Sequence, residues 1–76
     1  MTPIINPPSI RGLMAFESVV RHGSFTRAAD ELNITQGAVS HQIRKLEAVL
    51  GAKLLDRDSQ GLSLTPFGRR YIEDVR

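Results

Sequence analysis

The chain has 76 residues, of which 41% are hydrophobic and 24% are charged, and these values predict one small globular domain that buries only about 60% of its unfolded surface. Cysteine is absent, which excludes disulfide scaffolds and thiolate metal sites. Ten basic and eight acidic residues give a net charge of only +2, which is too small to indicate a nucleic-acid partner by itself.

Residues 1–9 predict a flexible arm, because three prolines in this segment disfavour regular structure. The arm has neither a positive flank nor a long apolar run, so we expect no signal peptide and no membrane span. The first helix is predicted over residues 10–21, after Ser9 as its N-cap. Its apolar face is expected to consist of Leu13, Phe16 and Val20, at spacings of three and four.

The spacing of small, apolar and turn-forming residues in 25–44 predicts two helices that cross at a steep angle. Ala28, Ala29 and Leu32 form a narrow apolar stripe, and we expect Ala29 at the crossing because a larger side chain would force the two helices apart. Asn33 follows at the turn, where a left-handed backbone is needed. Ile34 is expected to fold back onto the core. This pattern is typical of a helix-turn-helix.

The next helix is predicted over residues 35–50, with Thr35 as its cap and Gly51 at its end. One face of this helix is an apolar stripe formed by Val39, Ile43, Leu46 and Leu50. The opposite face is small, polar or basic and contains Gly37, Ser40, His41, Arg44 and Ala48, flanked by Lys45. A recognition helix in the major groove of DNA has this distribution, with polar groups near its start and basic groups further along.

In residues 53–64 the apolar residues no longer follow the spacing of a helix and begin to alternate with polar ones, as in a strand. Leu54 and Leu55 precede a charged, turn-rich stretch at residues 56–61, after which leucines alternate with a serine. This pattern predicts two short strands joined by a tight loop. Thr65 and Pro66 then begin a fourth helix that continues to Arg76. The four aromatic residues (Phe16, Phe25, Phe67 and Tyr71) are expected in the core or in a dimer contact.

Five motifs occur in order along the chain, and they are SFTRAA, TQGAVSHQI, LE followed by LG, LLDR and LTPFG. Together they resemble the amino-terminal domain of LysR-type bacterial transcriptional regulators, and the resemblance extends from about residue 10 to the end. It implies a mainly α, winged helix-turn-helix fold with a three-helix core, a two-stranded wing and a fourth helix for linking and dimerisation. The implied divisions are an arm at 1–9, a DNA-binding domain at 10–64 with its helix-turn-helix at 25–44, and the start of the linker helix at 65–76.

The resemblance places Gln36 and Ser40 at positions that contact base edges or phosphates, and the positions and charges of neighbouring residues predict further DNA contacts. Gln36, Ser40 and His41 would lie in the major groove, with Gly37 allowing a close approach of the backbone. A second set would contact phosphates, and it consists of Thr26, Arg27, Thr35, Arg44 and Lys45. Arg57, expected at the tip of the wing, would enter the adjacent minor groove.

Several of these assignments have a simpler alternative. Gln36 and Ser40 could be solvated polar side chains, and Arg57 could form a surface ion pair with Asp56 or Asp58. Arg44 and Lys45 could pair with Glu47 on the helix surface. The local excess of positive charge is small, with four basic and two acidic residues between positions 36 and 57.

The polar outward face of the third helix and the resemblance together imply sequence-specific binding of double-stranded DNA at a promoter inverted repeat, and the resemblance implies a homodimer or tetramer formed through the linker helix. A small-molecule effector would bind only to a domain outside this chain, and we expect no cofactor, no metal and a cytoplasmic, nucleoid-associated location. Enzymatic activity is disfavoured, because Ser40 and His41 are adjacent on a helix and diverge by about 100°. The alternative is a winged helix that binds another protein, although the outward face of the third helix lacks apolar anchors.

Overall fold

The structure, a computed structural model, describes residues 9–58 and 61–76. Within these residues the chain forms α1 (Ile10–His22), α2 (Phe25–Leu32), α3 (Gln36–Leu50), β1 (Leu55–Asp58), β2 (Gly61–Leu64) and α4 (Pro66–Val75). The predicted order of elements is confirmed, with a two-stranded antiparallel hairpin between the third and fourth helices. Residues 1–8 of the expected arm and the wing loop at Ser59 and Gln60 lie outside the described residues.

Hydroxyl side chains begin all four described helices. Ser9, Ser24, Thr35 and Thr65 each accept a hydrogen bond from the backbone amide three residues later, at 3.1, 3.1, 3.0 and 2.9 Å. These bonds satisfy one of the amides that a helix start leaves without an intrahelical acceptor. Asn33 ends α2 with φ 60°, the left-handed conformation expected at that turn. The capping pattern therefore sets the helix bounds locally.

The core lies where α1, α2 and α3 meet. Ala28 is fully buried and Ala29 is 5% exposed, as expected for small residues where α2 packs closely on its neighbours. On α1 the fully buried apolar side chains are Ala15, Phe16 and Val19, whereas the predicted Leu13 and Val20 are half-buried at the edge of the core. The interior face of α1 is thus rotated slightly from the predicted one.

Ile34 does not return to the core. Its side chain is 42% exposed, so the sequence-based expectation was wrong. The Ile34 amide donates to the Ala29 carbonyl at 3.0 Å, and this bond closes the end of α2 and fixes the direction of the chain through the turn. The side chain consequently borders a shallow surface hollow beside Met14 and Leu32.

The wing differs from the prediction in one respect. In β1 and β2, Leu55 pairs with Leu64 and Arg57 pairs with Leu62, while the pair Asp58 and Gly61 closes the hairpin. Residues 56–58, expected in the loop, therefore belong to the first strand. Arg57 lies within the ladder and not at the tip, because the pairing of backbone groups extends further than the charged side chains suggested.

Three contacts fix the wing to the helices. The Glu47 carboxylate accepts hydrogen bonds from the amides of Leu54 at 2.7 Å and Leu55 at 3.4 Å. The Thr65 hydroxyl donates to the Lys53 carbonyl at 2.6 Å. Gly68 lies directly on the Leu54 carbonyl, where a Cβ atom would overlap the oxygen. The start of α4 and the end of α3 therefore hold the same short segment from both sides.

Aromatic side chains attach α4 to the rest of the domain. The Tyr71 ring lies 6.1 Å from the Phe16 ring and 5.9 Å from the Phe67 ring, measured between centroids. Ile72, in the next position, is buried in the core. The prediction that these aromatic residues are packing contacts is confirmed. No helix in the described part of the chain is both long and apolar enough to span a membrane.

Candidate nucleic-acid interface

The outer face of α3 is presented to solvent as a polar and basic surface. Its buried face consists of Val39, Ile43 and Leu46, each at most 3% exposed. The opposite face carries the predicted site residues, of which Ser40 is half-buried and the others are exposed (Gln36, Gly37, His41, Arg44 and Lys45). The apolar periodicity of this helix thus determines which side chains a partner can reach.

The start of α3 is suited to bind an anion. The Thr35 hydroxyl accepts from the Ala38 amide at 3.0 Å, and the Thr35 carbonyl accepts from the Val39 amide at 3.0 Å. The amides of Gln36 and Gly37 have no acceptor within the helix, and the helix dipole places partial positive charge at this end. A phosphate group fits such a helix start.

Packing does not explain the glycine in this first turn. A Cβ atom built on Gly37 would meet only the Thr35 hydroxyl, at 3.9 Å, which is ordinary contact. Glycine costs up to about 1 kcal/mol relative to alanine inside a helix. The fold would therefore tolerate alanine at this position.

The start of α2 lies beside the wing. Thr26 and Arg27 are exposed in its first turn, directly after Ser24, which caps the helix. Ser24 and Phe25 border a second shallow hollow that Arg57 and Leu62 of the wing complete. The structure therefore brings the first turn of α2 and the wing to one side of the molecule.

A groove separates α3 from the wing, and we call it the α3–wing groove. It is open to solvent and is lined by Phe25, Ser40, Ile43, Arg44, Glu47, Lys53, Leu55 and Arg57. Three of the predicted site residues, Ser40, Arg44 and Arg57, are thus brought together. Lys53 is a functional candidate that the sequence-based assignment missed, although it contributed to the local excess of basic residues.

The Arg57 side chain stacks on an aromatic ring that lines the groove. Its Cζ atom lies 3.9 Å from the centroid of the Phe25 ring, within the range of a cation–π contact. Side chains alternate along a strand, so Leu55 and Arg57 face the groove while Asp56 lies on the other face of β1. The alternative in which Arg57 pairs with Asp56 is therefore not realised, and the side chain of Asp58, the other alternative partner, lies outside the described part of the structure.

The carboxylate of Glu47 is engaged by the backbone. It accepts from the amides of Leu54 and Leu55, and the structure gives it no ion pair with Arg44 or Lys45. The ion pairs among the described side chains all join α1 to itself or to α2. Arg44, Lys53 and Arg57 line the groove, and none of them pairs with a carboxylate among the described side chains. The groove is therefore positively charged.

A contrasting cluster, the α1–α2 clamp, consists of Glu17, Ser18, Arg21, His22 and Glu31. Arg21 donates to Glu31 at 2.6 Å and to Glu17 at 3.0 Å. The buried Ser18 hydroxyl donates to Glu31 at 2.5 Å. The hydrogen bond from Arg21, followed by that from Ser18, lowers the pKa of Glu31 to about 2, while its carboxylate partners raise the pKa of Arg21. The Arg21 guanidinium is thus engaged by two carboxylates within the fold.

The described residues contain no group of three or more His, Cys, Asp or Glu side chains that could hold a metal ion. The surface around α3 instead presents hydrogen-bond donors, helix starts and the cations of the α3–wing groove. These groups suit the binding of an extended polyanion.

The chain is similar in sequence to bacterial regulatory helix-turn-helix proteins. The family model described as "Bacterial regulatory helix-turn-helix protein, lysR family" matches residues 10–69. The chain is 50% identical over 68 residues to the "Glycine cleavage system transcriptional activator homolog" of Haemophilus influenzae, an alignment that covers 90% of this chain and 23% of that protein. The chain therefore spans about a quarter of the length of this relative.

Two solved structures of protein–DNA complexes contain similar domains. The BenM DNA-binding domain in complex with catB site 1 DNA has a TM-score of 0.82 and 42% identity, covering 88% of this chain and 75% of that one. The CbnR DNA-binding domain in complex with DNA has a TM-score of 0.83 and 37% identity, covering 90% of this chain and 78% of that one.

Proposed function

The chain belongs to the lysR family of bacterial regulatory helix-turn-helix proteins, and we propose that it binds double-stranded DNA sequence-specifically to regulate transcription. The observation that carries this proposal is the outer face of α3, where residues 36–45 present polar and basic groups while the apolar face is buried. The neighbouring α3–wing groove adds positive charge on the same side. The similar domains of BenM and CbnR were solved in complex with DNA.

In this proposal the first turns of α3 enter the major groove. Gln36, Ser40 and His41 reach base edges, because amide, hydroxyl and imidazole groups can match the donors and acceptors displayed there. Thr35 and the amides at the start of the helix bind a phosphate. Gly37 allows the backbone to approach the DNA closely.

The elements around α3 bind the DNA backbone and the adjacent groove. Thr26 and Arg27, in the first turn of α2, contact phosphates, and Arg44 and Lys45 do so from the middle of α3. The wing lies at the adjacent minor groove, with Arg57 as its cation. These contacts orient the protein, and base contacts from α3 supply the sequence preference.

We further propose that two copies bind an imperfect inverted repeat. A two-fold symmetric dimer presents two recognition helices to two half-sites one helical turn apart. The helix at residues 66–75 would extend the pairing surface in the whole regulator, as a dimer or tetramer, and a small-molecule effector would bind to a part of that regulator outside this chain. The site of action is the nucleoid in the cytoplasm.

The alternative function, a winged helix that binds another protein, is disfavoured by the distribution of apolar side chains. The exposed large hydrophobic residues are Ile10, Met14, Ile34 and Val49 in the described part of the chain. Of these only Val49 lies on α3, in the last turn and away from residues 36–45. A protein-binding helix face requires apolar anchors near its centre.

A gel-shift series tests the proposed function. The probes are the DNA upstream of the gene and a duplex of the same composition with scrambled sequence. The wild-type chain is expected to prefer the upstream duplex, and Gln36→Ala and Ser40→Ala are expected to reduce that preference. Equal affinity of the wild type for both duplexes, or silence of both substitutions, would contradict sequence-specific binding.

A further inference from the structure

Phe25 lies between the core and the α3–wing groove. Part of its side chain packs against the buried core, and the ring is half-buried. The exposed part of the ring borders the groove and carries the Arg57 guanidinium, with Cζ 3.9 Å from the ring centroid. The resemblance of the chain to its family assigns no DNA contact to Phe25, and the sequence alone predicted a packing role.

We propose that Phe25 is a positioning residue that holds Arg57 against the wall of the α3–wing groove, so that Arg57, Arg44 and Lys53 together grip the DNA backbone strand passing between the recognition helix and the wing. This inference rests on the proposed function and changes one part of it, because an Arg57 side chain held on Phe25 contacts the phosphates that border the minor groove and does not enter that groove. It adds Phe25 and Lys53 to the residues on which DNA affinity depends.

The first step of the argument concerns where the backbone must pass. A helix in the major groove and a wing at the adjacent minor groove are separated by one sugar–phosphate strand, because that strand forms the border between the two grooves of the duplex. The α3–wing groove is the depression between those two elements. A groove at this place therefore faces phosphate groups.

The second step concerns charge. Lys53 and Arg57 enter the groove from the wing side and Arg44 from α3. The carboxylate that also lines the groove, that of Glu47, is oriented toward the amides of Leu54 and Leu55 by hydrogen bonds of 2.7 and 3.4 Å. Cations without a described carboxylate partner are available to neutralise phosphates and release counterions.

The third step concerns geometry. Stacking uses the flat face of a guanidinium and leaves its N–H donors at the edge, so Arg57 can rest on the Phe25 ring and bind a phosphate at the same time. An arginine that is already held in place loses less side-chain entropy on binding than one that moves freely. The aromatic ring thus contributes to affinity through Arg57.

A double-mutant cycle on the 76-residue chain tests this role. The probes are the upstream and scrambled duplexes, because a grip on the backbone acts on any sequence. Phe25→Leu keeps an apolar side chain but removes the ring, and we expect about two- to fivefold weaker binding to both duplexes, the range of an exposed cation–π contact. In the Arg57→Ala background the same change is expected to have no effect, and Phe25→Tyr is expected to bind like the wild type.

Three results would overturn the positioning role. Equal losses from Phe25→Leu with and without Arg57 would show a purely structural effect, and tighter binding by Phe25→Leu would show that the ring sequesters Arg57. Weak binding by Phe25→Tyr would show that an aromatic face is not sufficient. Thermal melting of each variant, with binding measured well below its Tm, separates these outcomes from loss of the fold.

Lys53 is tested through the salt dependence of affinity. Lys53→Ala is expected to reduce the slope of log affinity against log salt by about one, because one fewer phosphate is neutralised. Arg70→Ala, which removes an exposed cation of α4 outside the groove, is the matched control and should leave the slope unchanged. An unaltered slope for Lys53→Ala overturns its place in the grip.

Different results would overturn the grip on the DNA backbone and the proposed DNA binding itself. Binding by the wild type that is indifferent to Phe25→Leu, Arg57→Ala and Lys53→Ala overturns the grip and leaves DNA binding standing. Absence of wild-type binding to both duplexes overturns both proposals.

Discussion

The α1–α2 clamp and the α3–wing groove contain similar numbers of charged side chains but use them in opposite ways. In the clamp, Arg21 contacts two carboxylates, and Glu31 also accepts from a buried hydroxyl. In the groove, three cations face solvent, while the adjacent carboxylate of Glu47 binds backbone amides. Charges that pair within the fold stabilise it, whereas cations without a carboxylate partner among the described residues are available to an external anion. Under the proposed function the groove cations bind DNA, whereas the clamp charges hold α1 and α2 together, on a surface whose total charge is nearly neutral.

The largest effect is expected from a change that removes the support of the groove. Gly68→Ala would place a Cβ atom on the Leu54 carbonyl, and relief of that overlap should cost about 3 kcal/mol. This is a large part of the roughly 4–11 kcal/mol expected for a domain of this size. Urea unfolding measures the loss, and Gly37→Ala, at an open position, is the matched control. Equal stability of the two variants would show that α4 does not depend on this close contact.

The second prediction compares one arginine from each region. Arg44→Ala should weaken DNA binding about tenfold, because a hydrogen bond to a charged group is lost, and should leave stability nearly unchanged. Arg21→Ala should lower the Tm and leave affinity intact below that temperature, because its guanidinium is engaged by Glu17 and Glu31. Fluorescence anisotropy and thermal melting together give both quantities. Weaker DNA binding by Arg21→Ala together with a lower Tm for Arg44→Ala would contradict the distinction between the clamp and the groove.

The third prediction concerns Gly37, where stability and function should move in opposite directions. Gly37→Ala is expected to stabilise the domain by up to about 1 kcal/mol through helix propensity, since the added methyl group meets only ordinary contacts. DNA affinity should fall severalfold, because the methyl group separates the backbone from the duplex. Unchanged affinity in the anisotropy assay would mean that close approach does not explain the glycine.

The fourth prediction isolates the buried part of the clamp. Ser18 is 1% exposed and donates to Glu31 at 2.5 Å. Ser18→Ala is expected to lower the free energy of unfolding by about 1 kcal/mol, the net value of one hydrogen bond. DNA affinity should not change. A loss of affinity at a temperature where the variant is fully folded would show that the clamp acts on the DNA-binding surface.

The smallest effect is expected from acid, because the clamp carboxylate is partly exposed. The pKa of Glu31 is lowered from 4.5 to about 2 in the folded chain. A carboxylate with a depressed folded pKa contributes stability above its unfolded pKa and loses that contribution as the pH falls through the folded value. Stability from this source should therefore decline between about pH 4.5 and pH 2, and Glu31→Gln should flatten that part of the profile. Identical profiles for the two proteins would contradict this assignment.

Much of the fold could be predicted from the sequence because its signals are local. Hydroxyl residues mark the helix starts, Asn33 and Gly51 mark left-handed helix ends, and the apolar period of α3 identifies its outward face. The errors also have local causes. Ile34 is apolar but is turned outward by the hydrogen bonding of the turn. Arg57 was placed in a loop because its charged neighbours resemble one, whereas strand pairing depends on residues 61–64 across the hairpin.

The sequence by itself determined the elements, their order and the polar face of α3, because capping, helical periodicity and turn chemistry depend on residues a few positions apart. The order of its five motifs also indicated the family, by resemblance. Only the tertiary structure decided that Phe25 carries Arg57, that Lys53 faces the same groove as Arg44, and that Glu47 is engaged by the wing backbone. These contacts join residues from different elements, and their distances follow from how the helices and the wing pack. A local pattern can identify a basic residue, but packing decides whether its charge is compensated within the fold or remains available to DNA.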